Sequence, residues 1–267
     1  MKRAIVIWKR EWLETVKNKT LLFMMALMPL IMVGAPFLYI TLILRIVSRP
    51  TISSGFFQKA IDAFLTTDPS LETMRAFDLF QIILFKQGTF FLLMITIMVG
   101  MSIATFSIIG EKHNRSLEPL LATPVKTWEL LMGKVLAAAV PAVIMTWLCS
   151  FLYMAGIYFY SPELFPLIVD YTWILILCFI TPAVALLSMG LGVIISSRSN
   201  DPRSAQNWGV FLILPVIFVI AGPIIGTFPL NLTSLLVIGS VFTALTIAVF
   251  YFGTKVFNRD AILTKWR

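Results

Sequence analysis

TFFLLMITIMVGMSIATFSIIG, residues 89–110, runs for 22 residues without an Asp, Glu, Lys, Arg or His. A helix rises about 1.5 Å per residue and the hydrocarbon core of a bilayer is roughly 30 Å thick, so about 20 apolar residues cross it. Inside lipid a helix satisfies its own backbone polar groups, which a lone extended segment does not. The stretch therefore reads as a transmembrane helix. Five further stretches read the same way: 21–44, 133–159, 172–195, 207–226 and 231–252. None of them contains Asp, Glu or Arg, and the one charged residue among them is Lys134, at a boundary. The expected fold is an all-α polytopic membrane protein with six transmembrane helices, a single membrane domain over residues 1–267.

Composition agrees: 59% of the residues are hydrophobic and 13% are charged. The net charge of +8 raises nucleic acid as a partner, but the distribution of that charge argues against it. With six spans and a cytoplasmic N-terminus, the outer segments hold Arg45, Arg49, Lys59, Arg75 and Lys86, and the cytoplasmic ones hold the other 16 of 21 basic residues. That is the positive-inside asymmetry, and it puts both termini in the cytoplasm. The basic excess is read as an orientation signal and a contact with anionic headgroups of the lipid bilayer. The first apolar run starts at Leu21, is longer than a signal-peptide core and lacks a small-residue cleavage site, so it reads as a retained signal anchor. Cys149 and Cys178 both fall inside spans and are expected as small buried apolar side chains.

Outside the spans, residues 1–20 place Ile5, Trp8, Trp12 and Val16 on one helical side among Lys2, Arg3, Lys9, Arg10, Lys17 and Lys19. A basic amphipathic helix of this kind lies in the interface plane. It is either a juxtamembrane anchor or an elbow helix that also touches a cytoplasmic partner. Residues 45–88 form the one sizeable extracytoplasmic loop. Phe56, Phe57, Ala60, Ile61, Phe64 and Leu65 make a helical stripe, and Ser70 is placed to cap a second helix from Leu71 toward Lys86. The expectation is a small amphipathic helix pair against the outer leaflet. Thr127 should cap the third span, Pro141 should kink it, and Asp201 before Pro202 should cap the fifth. Gly222, Pro223, Gly226 and Pro229 mark either a surface turn or a re-entrant hairpin.

Catalytic chemistry is almost absent. His113 is the single histidine, and it sits in a loop, which removes H-E-x-x-H zinc hydrolysis and a Ser–His dyad within the membrane. No G-x-S-x-G or C-x-x-C occurs, and GEKHNRS does not have Walker A spacing. The span interiors also lack the buried carboxylates on which proton-coupled carriers depend. The chain is therefore read as no enzyme, with no cofactor or metal site of its own. A polytopic protein without an internal energy site points to energy supplied from elsewhere.

The loop GEKHNRSLEPLLATPVKTWELLMGK, residues 110–134, is too patterned for a plain connector. Ser116 is placed to cap a short helix, Glu118 falls in its positive first turn, and Pro119 is tolerated where N–H groups have no helical partner. Leu117, Leu120 and Leu121 share one face, and Pro124 turns Thr123 out of the helix. Physically this is either a knob that docks in a groove of a soluble protein or an interfacial helix with its leucines in the headgroups.

The segment resembles the cytoplasmic coupling segment of type-2 ABC transporter permeases. The matching residues are Glu111, Lys112, Ser116, Leu117, Glu118, Leu120, Leu121, Thr123, Pro124, Val125, Gly133 and Lys134. That family often shows Gly-Thr-Leu-Glu where Arg115-Ser116-Leu117-Glu118 stand here. The basic N-terminal helix, six spans, DPRSAQ loop and short basic C-terminus are similar along the whole chain. The resemblance implies a membrane-spanning permease subunit of an exporter, paired with a second permease subunit as a homo- or heterodimer. It also implies separate ATPase subunits that bind ATP-Mg and push on a short coupling helix within 111–126. Leu117, Leu120 and Leu121 would plug into the ATPase, with Glu111, Arg115 and Glu118 as charged partners, Pro124 ending the knob, and Arg198 and Arg203 as a weaker second contact. The cargo would be an apolar or amphipathic compound, a drug, a lipid-like molecule or an ion. The alternative is a self-sufficient channel or secondary carrier with no ATPase partner.

Overall fold

The computed structural model of the protein describes residues 2–17, 19–46, 56–66, 71–114, 127–199, 201, 204, 207–225 and 231–256. Among them no strand occurs. The helices are α1 (Lys2–Lys17), α2 (Lys19–Ile46), α3 (Phe56–Leu65), α4 (Ala76–His113), α5 (Thr127–Tyr160), α6 (Phe165–Ile168), α7 (Tyr171–Leu175), α8 (Thr181–Arg198), α9 (Val210–Ile225) and α10 (Leu232–Val256). A π-helical segment, Ile176–Ile180, joins α7 to α8 into one rod. Among the described residues, helices long and apolar enough to cross a membrane number five, lying in α2, α4, α5, the α7–α8 rod and α10. The remaining expected span, the fifth stretch at 207–226, holds α9, which has 16 residues and is shorter than the helices of the other five.

Helix α4 is the centre of the bundle. Its side chains from Leu79 to Phe90 are all buried, and most of those down to Lys112 are as well. Its 38 residues make a rod of about 57 Å, roughly twice the hydrocarbon thickness. Around it α2 and α10 turn most of their surface outward, with Phe23, Leu30, Leu38, Leu42, Ile247 and Phe252 exposed. An apolar exterior over a packed centre is what a bilayer, rather than water, permits.

Contacts along the rods fix their directions. Tyr153 of α5 donates to the carbonyl of Phe85, Thr146 meets Thr96 at 2.8 Å, and Lys134 meets Glu111 at 2.8 Å. Numbers fall along one helix as they rise along the other, so α5 is antiparallel to α4. Helix α8 is parallel to α4. Met189 fills the space over Gly100, and Gly192 fits against Met101 and Ala104. Small residues let two backbones approach in this way. Helix α10 is parallel to α8 in turn: Phe179 covers Gly239, Thr246 donates to Ala183 O at 3.1 Å, and Ile194 covers Gly253. Residues 199–231, which contain α9, therefore run back along the bundle. Helix α9 packs on α3 and α4 as it does so.

Several expectations are corrected. There is no separate second outer helix from Leu71 to Lys86. Helix α4 begins at Ala76, preceded by Arg75 in extended backbone without a side-chain cap, and runs on unbroken. Its first turns are buried instead of lying on a leaflet. The reason is that Gln81 and Lys86 find partners in the protein: Gln81 donates to Ser161 Oγ at 2.6 Å, and Lys86 reaches Asp170 at 2.7 Å with its ammonium 5.3 Å from the Phe64 ring centre. Asp170 also accepts from Thr172 N, capping α7. Cys149 is buried as expected, whereas Cys178, inside the π-helical segment, is exposed. Thr127 is the first residue of α5 rather than a cap ahead of it, and Asp201 accepts from Ser204 N at 3.0 Å, a local cap that stands nine residues ahead of α9 and does not start that helix. Ser70 and residues 226–230 lie outside the described residues.

Candidate functional site

At the end of the bundle where α4 stops and α5 starts, charged residues meet in a buried cluster. Lys134 stands in the second turn of α5 and is 3% exposed. Its Nζ lies 2.6 Å from Glu11 Oε1 on α1, 2.8 Å from Glu111 Oε2 on α4 and 3.1 Å from Ser107 Oγ. Ser107 in turn donates to Glu11 Oε2 at 2.6 Å. An ammonium removed from water and left alone costs many kcal/mol, so each such group needs a counter-charge at contact distance. Lys134 has two. Arg10, next to Glu11 on the exposed side of α1, offsets the surplus negative charge. Burial alone would raise the Glu11 carboxyl, but the Lys134 ammonium and the hydrogen bonds from Lys134 and Ser107 outweigh it and hold the group below its ordinary range.

Each element supplies its residue for a local reason. Helix α1 is amphipathic, and Glu11 lies on the side that also carries Trp8, Trp12 and Thr15, which are half-buried against the bundle. Ser107 and Glu111 are four apart on α4, one above the other on a single helical face. Lys112 is one position on, rotated about 100° around the axis, and so meets a different neighbour. Its Nζ donates to Ser197 O and Ser199 O at 2.7 Å each, at the C-terminal end of α8. Helix C-terminal carbonyls have no helical N–H partner, and a cation there is favourable. The dipeptide Glu111–Lys112 thus ties the end of α4 to α5 and α1 on one side and to α8 on the other.

Chemically the cluster is a fastener. Its carboxylates and ammonium are spent on each other, and among the described residues no group of His, Cys, Asp and Glu is arranged to hold a metal. Mechanically its position matters more. Glu111 and Lys134 are the two stems of the 110–134 loop, and their ion pair closes that loop at its base.

Of the residues expected to contact an ATPase, Glu111 is 5% exposed, with its carboxylate turned to Lys134. Arg198 ends α8, its side chain outside what is described. Arg115, Leu117, Glu118, Leu120, Leu121, Pro124 and Arg203 lie outside the described residues. Sequence reading did not assign Glu11, Ser107, Lys112 or Lys134 a role. The available signal was Lys134 itself. A lone cation inside an apolar run demands a partner, and an acid on the inner side of an otherwise basic amphipathic helix is the natural supply.

A helical bundle with an apolar exterior, and with a patterned loop fastened at its stems to a peripheral helix, defines a polytopic helical membrane protein. A family model described as "ABC-2 family transporter protein" matches residues 5–251, and the chain belongs to that family of ABC transporter permeases. Such permeases are the membrane subunit of a transporter, are not themselves catalytic, and in general work with an ATPase partner in dimeric assemblies. No curated protein matches the chain.

Proposed function

We propose that this protein is the membrane-spanning subunit of an ABC exporter, driven by a separate ATP-hydrolysing chain that docks on the 110–134 loop. The observation that carries this reading is the Glu11–Lys134–Glu111 cluster under that loop. A flexible connector needs no buried ion pair across its stems; a loop that must take a push and pass it on does. In this reading Leu117, Leu120 and Leu121 enter a groove of the ATPase between Arg115 and Glu118, and Pro124 ends the knob. Glu111 serves the contact from the stem by keeping the knob aimed, and Arg198 and Arg203 form a second, smaller contact. ATP and its Mg²⁺ bind to the partner.

The wider arrangement is six crossings in a cell membrane, with the loop end and both termini cytoplasmic, α1 as an elbow helix in the interface, and two permease subunits per transporter. The cargo is apolar or amphipathic, because the spans offer Phe, Met, Leu, Ser and Thr and no charged pocket. The docking claim is tested by co-purification with an ATP-binding subunit bearing G-x-x-x-x-G-K-[ST]. Leu120→Asp with Leu121→Asp should abolish association while the permease still purifies as a folded species. Association at the unmodified level would remove the knob from the mechanism.

A further inference from the structure

The cluster at Lys134 explains how the loop is held to α1, α4 and α5. It does not explain how a push would reach α8, whose contact with α4 along the bundle is apolar. Met189 over Gly100, and Gly192 against Met101 and Ala104, set spacing without binding one helix end to the other. The exception is Lys112. It is 9% exposed, and its ammonium holds two carbonyls of α8, one in the last turn and one on the capping residue Ser199, whose backbone is already extended. Ser199 N still donates to Ile195 O at 3.0 Å, so the cap is closed on itself and Lys112 grips a finished helix end. Beyond α8 the same sequence of contacts continues into α10 through Ala183–Thr246 and Ile194–Gly253.

We propose that Lys112 is a positioning residue of the transport cycle: its grip on the carbonyls of Ser197 and Ser199 makes α8 follow α4 when the loop is pushed. Glu111 and Lys112 then divide one input between two outputs, α5 with α1 on one side and α8 with α10 on the other. The proposal rests on the exporter reading above. Lys112 needs to be a cation with several donors for this, since one carbonyl alone would leave the other without a partner in a dry site.

The test uses the complex of this chain with its co-purifying ATP-binding subunit. Cys149 and Cys178 are replaced by Ser, and spin labels are placed at His113→Cys on the exposed end of α4 and at Ser199→Cys, where only the side chain changes. Dipolar broadening is read at rest and after trapping with ADP and vanadate. With Lys112 present the label separation stays the same in both states. With Lys112→Met it is unchanged at rest and widens on trapping, and Lys112→Arg restores the constant separation. A Lys112→Met separation that stays constant on trapping overturns the proposal. So does one already widened at rest, which marks a merely structural contact. If Lys112→Met fails to fold, Lys112→Gln, which keeps a donor but no charge, is read by the same criteria. Failure of the exporter reading shows earlier and separately, as absence of any ATP-binding subunit from the unmodified preparation.

Discussion

Lys134 is a residue whose value lies in its neighbours. Substituting it by Met leaves Glu11 and Glu111 buried against each other without their shared cation, and breaking such a pair costs about 3–5 kcal/mol. Glu11→Gln removes one partner and leaves the Lys134–Glu111 pair, so its cost is about 1–3 kcal/mol. Thermal unfolding in detergent should therefore rank Lys134→Met well below Glu11→Gln. The reverse order would mean that the ammonium finds water. Glycines give a second residue-level contrast. A Cβ on Gly88 would stand 1.8 Å from Tyr153 Oη, the hydroxyl that donates to Phe85 O, while a Cβ on Gly110 meets nothing within 4 Å. Gly88→Ala should destabilise by about 1–3 kcal/mol through overpacking. Gly110→Ala should be neutral or stabilising by up to about 1 kcal/mol from helix propensity. At this scale the sequence was half legible. Lys134 announced a need for a counter-charge by standing alone in an apolar run. That Glu11 would answer it, from more than a hundred residues away, depended on how α1 folds back on α5, and no local pattern encodes that.

Elements were legible where one apolar run made one helix, and less so where polar residues were satisfied by protein. Lys86, Gln87 and Gly88 look like the end of a span, yet α4 continues through them because Asp170 meets the Lys86 ammonium, the Tyr153 hydroxyl packs over Gly88, and Ser161 meets Gln81 earlier on the same helix. The α7–α8 rod hides a second case. Its π-helical segment lets Thr181 donate to Ile176 O five residues back. Pro182, which follows, has no N–H to offer the preceding turn. Leu177 O is left to Trp147 of α5, whose Nε1 donates to it at 3.0 Å. An indole N–H at that depth has few other acceptors, so the bond pins α5 to the weakest turn of the rod. Trp147→Phe keeps the ring and removes the donor. The expected loss is about 0.6 kcal/mol, the average for hydrogen bonds between membrane helices, and no more than about 1.7 kcal/mol. Hydrogen exchange should rise around residues 177–182 in particular. Loss of protection spread evenly along α7 and α8 would contradict a local pin.

For the whole molecule the open question is how many times the chain crosses, and α9 decides it. Its 16 residues span about 24 Å, short of the roughly 30 Å of hydrocarbon. Two independent observations argue for a return crossing, which we propose. The first is geometric. Helix α8 is tied to the end of α4 by Lys112, α10 runs parallel to α8, and α1 is tied to the same end of α4 through Ser107 and Lys134. Val256 and Glu11 thus lie toward the same end of the bundle, and 199–231 must return the length of it. The second is charge. With a return crossing, 16 of 21 basic residues face the cytoplasm; without one, Lys255, Arg259, Lys265 and Arg267 change sides and the split falls to 12 against 9, which is hardly an orientation signal. In such a crossing the exposed Trp208 just ahead of α9 would serve as an interfacial anchor, and a modest local thinning of the bilayer would cover the shortfall in length. In a Cys149→Ser, Cys178→Ser background, Lys2→Cys and Lys255→Cys should both react with a membrane-impermeant maleimide in inside-out vesicles and in neither case in right-side-out ones, while Arg45→Cys shows the opposite pattern. Labelling of Lys2→Cys and Lys255→Cys from opposite sides would leave α9 as a helix that dips in without crossing, and would place the last basic residues outside the cell.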